Sequence, residues 1–440
     1  MLKLSPFFLR RICYHLTMIE FSQSFCVAPW LHAHISANGS RRLCCVAKQP
    51  EEDLSSLSWE EFKNSEYLKK TRKLMLAGRT VSDCRRCDNA DSKNTYKSYL
   101  NKLYENEIKN ILKSTDIDGS TSFPTMSVDY RKKICNLKCQ TCSPFSSSSY
   151  NSFLKQKKAE EYEDLFLSEM KEIPSYKKIM LNFDKEFSSH LAAGHVNLIY
   201  FAGGEPLLDP QHFTHLKQSL SINPQINLTY NTNLMIAEET VKNWVELLNQ
   251  FNSLIIIRVS LDGLDEIGKY IRKGIDLSQI DKNINYIIKN KNENIKLELD
   301  MTLTSLGFFN LVEMMSYAAM KKISLLIKPM IGGEKYFPLL RPEKTPLELR
   351  KKILTNWREK FSSLSIEDKK LLIDANEAVE SMCVDLPFEK TNSDDLDRLK
   401  KIEKLFDLQD RFFELLKSNS TGKLWADELT QLKNKEPINP

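Results

Sequence analysis

The sequence predicts an α/β fold: a partial (β/α)6 TIM-like barrel, a small N-terminal cysteine-rich β-hairpin/helix domain and a helical C-terminal extension. Three observations predict it. Between residues 124 and 335, apolar strand-like runs alternate with segments of helical spacing, the pattern of parallel β/α units. Six of the ten cysteines fall before residue 90, and three more lie within residues 135–142. Beyond residue 345 the chain is heavily charged, with apolar residues at helical intervals. The divisions that follow are an extension over 1–23, the cysteine domain over 24–113, the barrel over 114–340 and the helical extension over 341–440.

Composition bounds the function. The 440 residues are 41% hydrophobic and 28% charged, which excludes a wholly disordered chain and leaves room for more than one domain. Lys and Arg number 63 against 58 Asp and Glu, for a net charge of +5. Basic and acidic residues are interleaved, so the concentrated basic face of a nucleic-acid binder is not expected. No run reaches the 18 or so apolar residues of a membrane span. Residues 1–17 place arginines inside a short apolar segment without a small-residue cleavage site. They read as an untidy N-terminus with Met18 as an alternative start, and the expected location is cytoplasmic.

The cysteine domain comes first in chain order. Pro29 to Arg42 has alternating strand character with an Asn38-Gly39 turn, a hairpin signal. A hairpin brings Cys26 and Cys44 together, and Cys84 and Cys87 can close the site. Four thiolates complete a cubane shell with no open iron; they also suit zinc. Cys45 rivals Cys44, because adjacent strand residues face opposite ways. His32 and His34 share a strand face and either bind metal or line a half-buried surface. Residues 59–77 and 96–113 have helical spacing and lead to a loop over 114–124.

The barrel follows. Its first strand, Thr125 to Tyr130, runs into Cys135-Asn-Leu-Lys-Cys139-Gln-Thr-Cys142. Disulfide frameworks belong to small secreted chains, so ligation is the better reading of these cysteines. Three thiolates on one loop can hold three irons of a [4Fe–4S] cubane and leave the fourth open. A zinc knuckle needs a fourth ligand, and no Cys or His lies between Cys142 and His190. The long connection to the next strand holds serines 146 to 149 and one or two helices from Ala159; it either shapes a cavity or loops over the surface. The second strand, Val196 to Phe201, ends in Ala202-Gly203-Gly204-Glu205-Pro206. Two glycines allow close backbone approach, and the carboxylate can accept from an ammonium.

Four further strands are predicted: Asn227 to Tyr230, Leu254 to Ser260, Ile295 to Thr302 and Ile323 to Lys328. Helices are predicted over Gln211 to Leu220, Glu238 to Asn249, Ser278 to Lys289 and Asn310 to Met320. Ligands in such sheets bind at the C-terminal strand ends, where the cysteine loop and the Gly-Gly-Glu turn both sit. Asn231, Asn233, Ser260, Asp262, Tyr270, Arg272, Thr302 and Thr304 also lie at or near strand ends, either as ligand contacts or as caps and turn residues. In the extension, Leu396 to Leu416 carries a helix-period apolar side, a packing face or a partner-docking surface. Cys383 reads as a buried or incidental thiol, and the 430s as a frayed end.

The CxxxCxxC loop after a strand resembles the signature of the radical S-adenosylmethionine (SAM) superfamily. The resemblance implies Cys135, Cys139 and Cys142 as ligands of the SAM-binding [4Fe–4S] cluster, and Gly203, Gly204 and Glu205 as the turn that meets the methionine amino group. It implies Ser260 and Arg272 as contacts to ribose and methionine carboxylate, and Asn231 as lining the same cavity. Thr141 departs from the aromatic that many members carry before the last cysteine, which leaves adenine contact to backbone or Phe145. The Cys-x12-Gly-x4-Cys spacing from Cys26 to Cys44, with Cys84 and Cys87, resembles the SPASM and twitch auxiliary-cluster domains, here placed before the barrel. Together these imply reductive cleavage of SAM, a second [4Fe–4S] cluster, an electron donor such as flavodoxin or ferredoxin, and a substrate that is a ribosomally made peptide, a small metabolite or RNA. A non-enzymatic iron–sulfur or zinc scaffold is the alternative of a different class.

Overall fold

The computed structural model describes residues 24–37, 39–88, 95–144, 146–157, 176–330 and 337–434. The N-terminal extension, Asn38, Phe145, residues 158–175 and the last six residues fall outside them; of the helices expected from Ala159 onward, the described part is Tyr176–Ala192. The chain divides into two compact units, Met1–Asp129 with Lys177–Asn197, and Tyr130–Tyr176 with Leu198–Pro440.

Among the described residues nine strands run in chain order: β1 (His32–His34), β2 (Ser127–Arg131), β3 (Lys138–Cys139), β4 (Leu198–Ala202), β5 (Asn227–Thr232), β6 (Ile255–Ser260), β7 (Arg272–Lys273), β8 (Ile295–Leu303) and β9 (Ser324–Pro329). β4, β5, β6, β8 and β9 are neighbours in that order, β1 lies beside β2, and β3 pairs with β7 in a separate ribbon. The six strands expected for the barrel are present within two residues of their predicted bounds. The unit boundary falls inside β2.

In the second unit β4, β5, β6, β8 and β9 pair in parallel. The helices His212–Ile222, Glu238–Leu248, Leu277–Asn290 and Leu311–Lys321 fill the connections, close to their predicted spans. Alternation along each strand separates two faces. In β6, Ile255, Ile257 and Val259 are buried, whereas Ile256, Arg258 and Ser260 are half-buried. The register places Asn231 beside Arg258, Arg258 beside Glu298, Ser260 beside Asp300, and Thr302 beside Lys328. One face is therefore apolar and covered by helices such as Glu238–Leu248, which buries Val241, Trp244, Val245 and Leu248. The other is polar and carries the ion pairs Arg258–Glu298 (3.0 Å) and Lys328–Asp300 (2.7 Å).

The C-terminal helices belong to the second unit. Leu396, Leu399, Ile402 and Leu405 are buried, so this side is a packing face. Phe406 stacks on Phe153 with ring centroids 5.0 Å apart, and Tyr270 donates to Glu403 at 3.1 Å. Cys383 is buried, as expected.

In the first unit, Pro29 opens a helical turn, Ala28–Leu31, rather than extending a strand, because its fixed φ suits the first helical position. The hairpin is correspondingly short: Ile35 bridges Arg41 antiparallel, closed by Ser36 and Ser40 with Gly39 at φ +89°. The preceding β1 pairs in parallel with β2, His32 beside Ser127 and His34 beside Asp129. Residues 59–77 form two helices, Trp59–Lys63 and Glu66–Leu76, because Ser58 and Ser65 each cap a start. Buried Arg72 donates to the carbonyls of Pro29, Lys63 and Gly119, and Arg41 pairs with Glu186 at 2.8 Å. These long-range bonds fix the hairpin on a small core around Trp30, Trp59, Phe62 and Phe187.

Candidate functional site

The loop carrying Cys135, Cys139 and Cys142 is held by hydrogen bonds from both side chains and backbone. Ser147 caps the helix Ser148–Gln156 and also donates to the Leu137 carbonyl at 2.6 Å. The Cys135 amide donates to Ser148 Oγ (3.1 Å), and Ser149 donates its amide to the Cys135 carbonyl (3.3 Å). The serine run, legible only as a turn, is thus the clamp on the cysteine loop. On the other side Cys139 pairs with Arg272 in the β3–β7 ribbon, and Gln140 bonds to the Ile271 and Tyr270 carbonyls.

The three thiols lie within electrostatic range of one another, and burial pushes all three up, Cys142 to about 11. Arg272 opposes that shift. Its Nη1 donates toward Cys139 Sγ at 3.7 Å, and its charge favours the thiolate at each of the three cysteines. Burial works against the guanidinium's own charge, but Asp262 overcomes it. Asp262 contacts Nη2 at 3.0 Å and Nε at 2.9 Å. Asp262 in turn accepts from the Thr302 amide (2.8 Å) and the Thr141 hydroxyl (3.2 Å). Thr141, which departs from the aromatic common at that position, therefore orients the carboxylate that orients Arg272.

The Gly-Gly-Glu turn abuts the same loop. Gly203 and Gly204 have φ of +74° and +57°. A Cβ on Gly204 would collide with the carbonyls of Ile134 and Lys132, so the close approach that needs glycine is made to the cysteine loop itself. The Glu205 amide donates to the Ile134 carbonyl at 2.6 Å. Its carboxylate accepts from Thr232 Oγ1 (2.8 Å), the Asn233 amide (2.6 Å) and the Leu207 amide (3.2 Å). Even so, burial pushes Glu205 up to about 7. A carboxylate has about four acceptor sites, so one remains for a ligand donor. Asn233, fixed by Glu205, donates to Asn136 Oδ1 (2.9 Å) and toward Cys135 Sγ (3.7 Å).

The other strand-end candidates separate. Asn231 sits on the polar sheet face, accepting from Tyr200 OH (2.7 Å) and donating to Asp300 (2.5 Å). Ser260 is half-buried on that face beside Asp300. Tyr270 is buried and turned to Glu403. Thr304 is buried and accepts from the Gly307 amide at 2.9 Å, a turn role. Asp262 and Ser147 as positioning groups were not assigned from sequence; their partners lie ten or more residues away in the chain, and only the aspartate after a strand end was a hint.

In the first unit Cys26 lies within electrostatic range of Cys87, Cys44 of Cys26 and Cys84, and Cys84 of Cys26 and Cys87. Burial pushes the Cys26 thiol up to about 12 and also raises Cys44 and Cys84. Cys44 is buried and Cys45 half-buried beside it. The Lys48 amide bonds to the Asp83 carbonyl at 2.9 Å, tying the hairpin to the CxxC turn. Asp88, which raises the Cys26 and Cys84 thiols, pairs with Lys97 at 2.6 Å. His32 and His34 do not line a half-buried surface: they are 1% and 2% exposed.

Residues 132–308 match the family model described as the radical SAM superfamily. The cysteine loop and the Gly-Gly-Glu turn both lie inside the matched stretch. Crystal structures of SuiB from Streptococcus suis are similar. The one bound to S-adenosylmethionine has 15% identity and a TM-score of 0.35, covering 68% of this chain and 60% of that one. The one bound to the precursor peptide SuiA has 16% identity and a TM-score of 0.35, covering 78% and 70%. The chain therefore spans about 60% of the length of the first of these structures. No curated protein matches the sequence. Among the described residues no helix is long and apolar enough to cross a membrane.

Proposed function

We propose that the chain is a radical SAM enzyme. Cys135, Cys139 and Cys142 would hold a [4Fe–4S] cluster, and the Gly203-Gly204-Glu205 turn would receive the methionine ammonium of SAM. The observation that carries this reading is the packing of that turn on the cysteine loop, where glycine is required at 204 and the Glu205 amide bonds to Ile134. When bound, the cluster and SAM supply one-electron cleavage to a 5′-deoxyadenosyl radical that abstracts hydrogen from substrate.

The chain's own residues hold and tune. Ser147 and Ser148 fix the loop. Arg272, clamped by Asp262, offsets the cost of buried thiolate charge at Cys139. Asn233 directs an N–H toward Cys135 Sγ. Asn231, Ser260 and Asp300 on the polar face would meet ribose or substrate. Residues 24–113 would form an auxiliary domain, with Cys26, Cys44, Cys84 and Cys87 holding a second cluster. The substrate class we put first is a ribosomally made peptide, with a flavodoxin or ferredoxin as electron source.

The test is 5′-deoxyadenosine formation by the full chain, reconstituted with iron and sulfide without oxygen and then reduced. Cleavage lost in Cys135→Ala supports the reading. Iron-loaded, reduced protein that neither binds nor cleaves SAM overturns it.

A further inference from the structure

We propose that His32, His34 and Asp129 form a binding site for a divalent transition-metal ion of the zinc or ferrous class, separate from both cysteine sets. The parallel register of β1 on β2 sets His32 beside Ser127 and His34 beside Asp129. Parallel partners share a face of the sheet, so two imidazoles and one carboxylate point to one spot. Their ligand atoms all lie within 4.8 Å of one another. All three residues are at most 2% exposed.

The separations suit a metal. Nitrogen and carboxylate ligands sit at about 2.0–2.1 Å from zinc, which places tetrahedral ligand atoms about 3.3 Å apart. His34 Nδ1 is 2.8 Å from Asp129 Oδ2, and His32 Nε2 is 3.7 Å from Asp129 Oδ1. These bracket the required spacing, so shifts of about half an ångström seat the ion. The ring nitrogen of His32 that does not face the carboxylate is also held: Nδ1 shares a hydrogen bond with Ser127 Oγ at 2.9 Å. That is the outer-shell contact by which metal-binding histidines are commonly held. Two imidazoles and a carboxylate select borderline divalent ions over calcium or magnesium. Three protein ligands leave a coordination position open. The competing occupant is a proton, held in a His34–Asp129 ion pair.

The test uses the full chain with its cysteines already occupied by reconstituted iron and sulfide. One equivalent of zinc is added, excess is removed, and zinc per chain and zinc-edge X-ray absorption are measured. The expected result is about one zinc per chain, with only nitrogen and oxygen neighbours at about 2.0–2.1 Å. His32→Asn and His34→Asn should each weaken binding by at least about 100-fold, and Ser127→Ala by about 10-fold. No retained zinc, zinc held equally by the histidine variants, or sulfur neighbours at about 2.3 Å would overturn the proposal. If a histidine variant does not fold, the absorption spectrum of the unaltered chain decides. Loss of SAM cleavage does not bear on this result, because no cysteine is among the three ligands.

Discussion

The two cysteine sets are built differently. Cys135, Cys139 and Cys142 come from one eight-residue loop with donors aimed at two of the thiols: Arg272 faces Cys139, and Asn233 faces Cys135, while Glu205 opposes charge at Cys135. Cys26, Cys44, Cys84 and Cys87 come from three stretches; the carboxylate of Asp88 disfavours thiolate at Cys84, whereas at Cys26 Lys97 outweighs it. The first set is a local motif with a tuned surround. The second exists only if the unit around it folds. Ligands gathered from distant stretches lose more chain entropy on assembly, so metal binding there counts as folding free energy.

The largest test of this difference is removal of one cysteine from each set. Cys139→Ala should abolish SAM cleavage while the first unit stays folded. Cys84→Ala should retain cleavage yet lower thermal stability and lose about four irons per chain, read by iron analysis and calorimetry. Equal loss of cleavage in both variants would break the comparison.

Arg272→Gln comes next. It removes the cation facing Cys139 and leaves Asp262 buried without its partner. We expect cleavage or cluster retention to fall about 10–100-fold, as for outer-shell partners of metal ligands, with Arg272→Lys only partly restoring it because the bidentate geometry is lost. An unchanged rate would mean that the arginine serves packing alone.

A smaller effect concerns pH. Glu205 is raised to about 7 by burial, so it is mostly protonated at pH 6 and mostly ionised at pH 8. An ammonium needs the ionised form, so SAM affinity should rise about tenfold over that interval. The raised value also means that this group's contribution to stability is fully present below the ordinary carboxyl range and is lost as pH rises toward 7. A flat profile, or one that Glu205→Gln leaves unchanged, would remove the ammonium role from this residue.

The smallest effect expected is at the clamp. Ser147→Ala removes the helix cap and the bond to Leu137, which should cost about 1–2 kcal/mol by denaturant unfolding. A variant of normal stability would show that β3 and β7 alone secure the loop.

Much of this architecture was legible in the sequence. The six barrel strands and the four helices between them were placed by periodicity, and the cysteine loop and Gly-Gly-Glu turn by composition over a few residues. The reach of such patterns is short, which explains the misreadings. The run from Pro29 looked like a continuous hairpin because its polar and apolar residues alternate, but proline starts a helical turn and the strand that follows finds its partner almost a hundred residues away. His32 and His34 read as half-buried for the same reason: nothing near them announces Asp129.

The sequence by itself determined the order of the barrel strands and helices, the three-thiol loop and the Gly-Gly-Glu turn, because hydrophobic period, ligand spacing and turn composition act between near neighbours. Only the tertiary structure decided that Asp262 aims Arg272 at Cys139 and that the serine run clamps the loop. It also decided that β1 lies beside β2, carrying two histidines to a buried aspartate. Those outcomes depend on sheet register and on charges buried together, and both are settled only when distant segments pack.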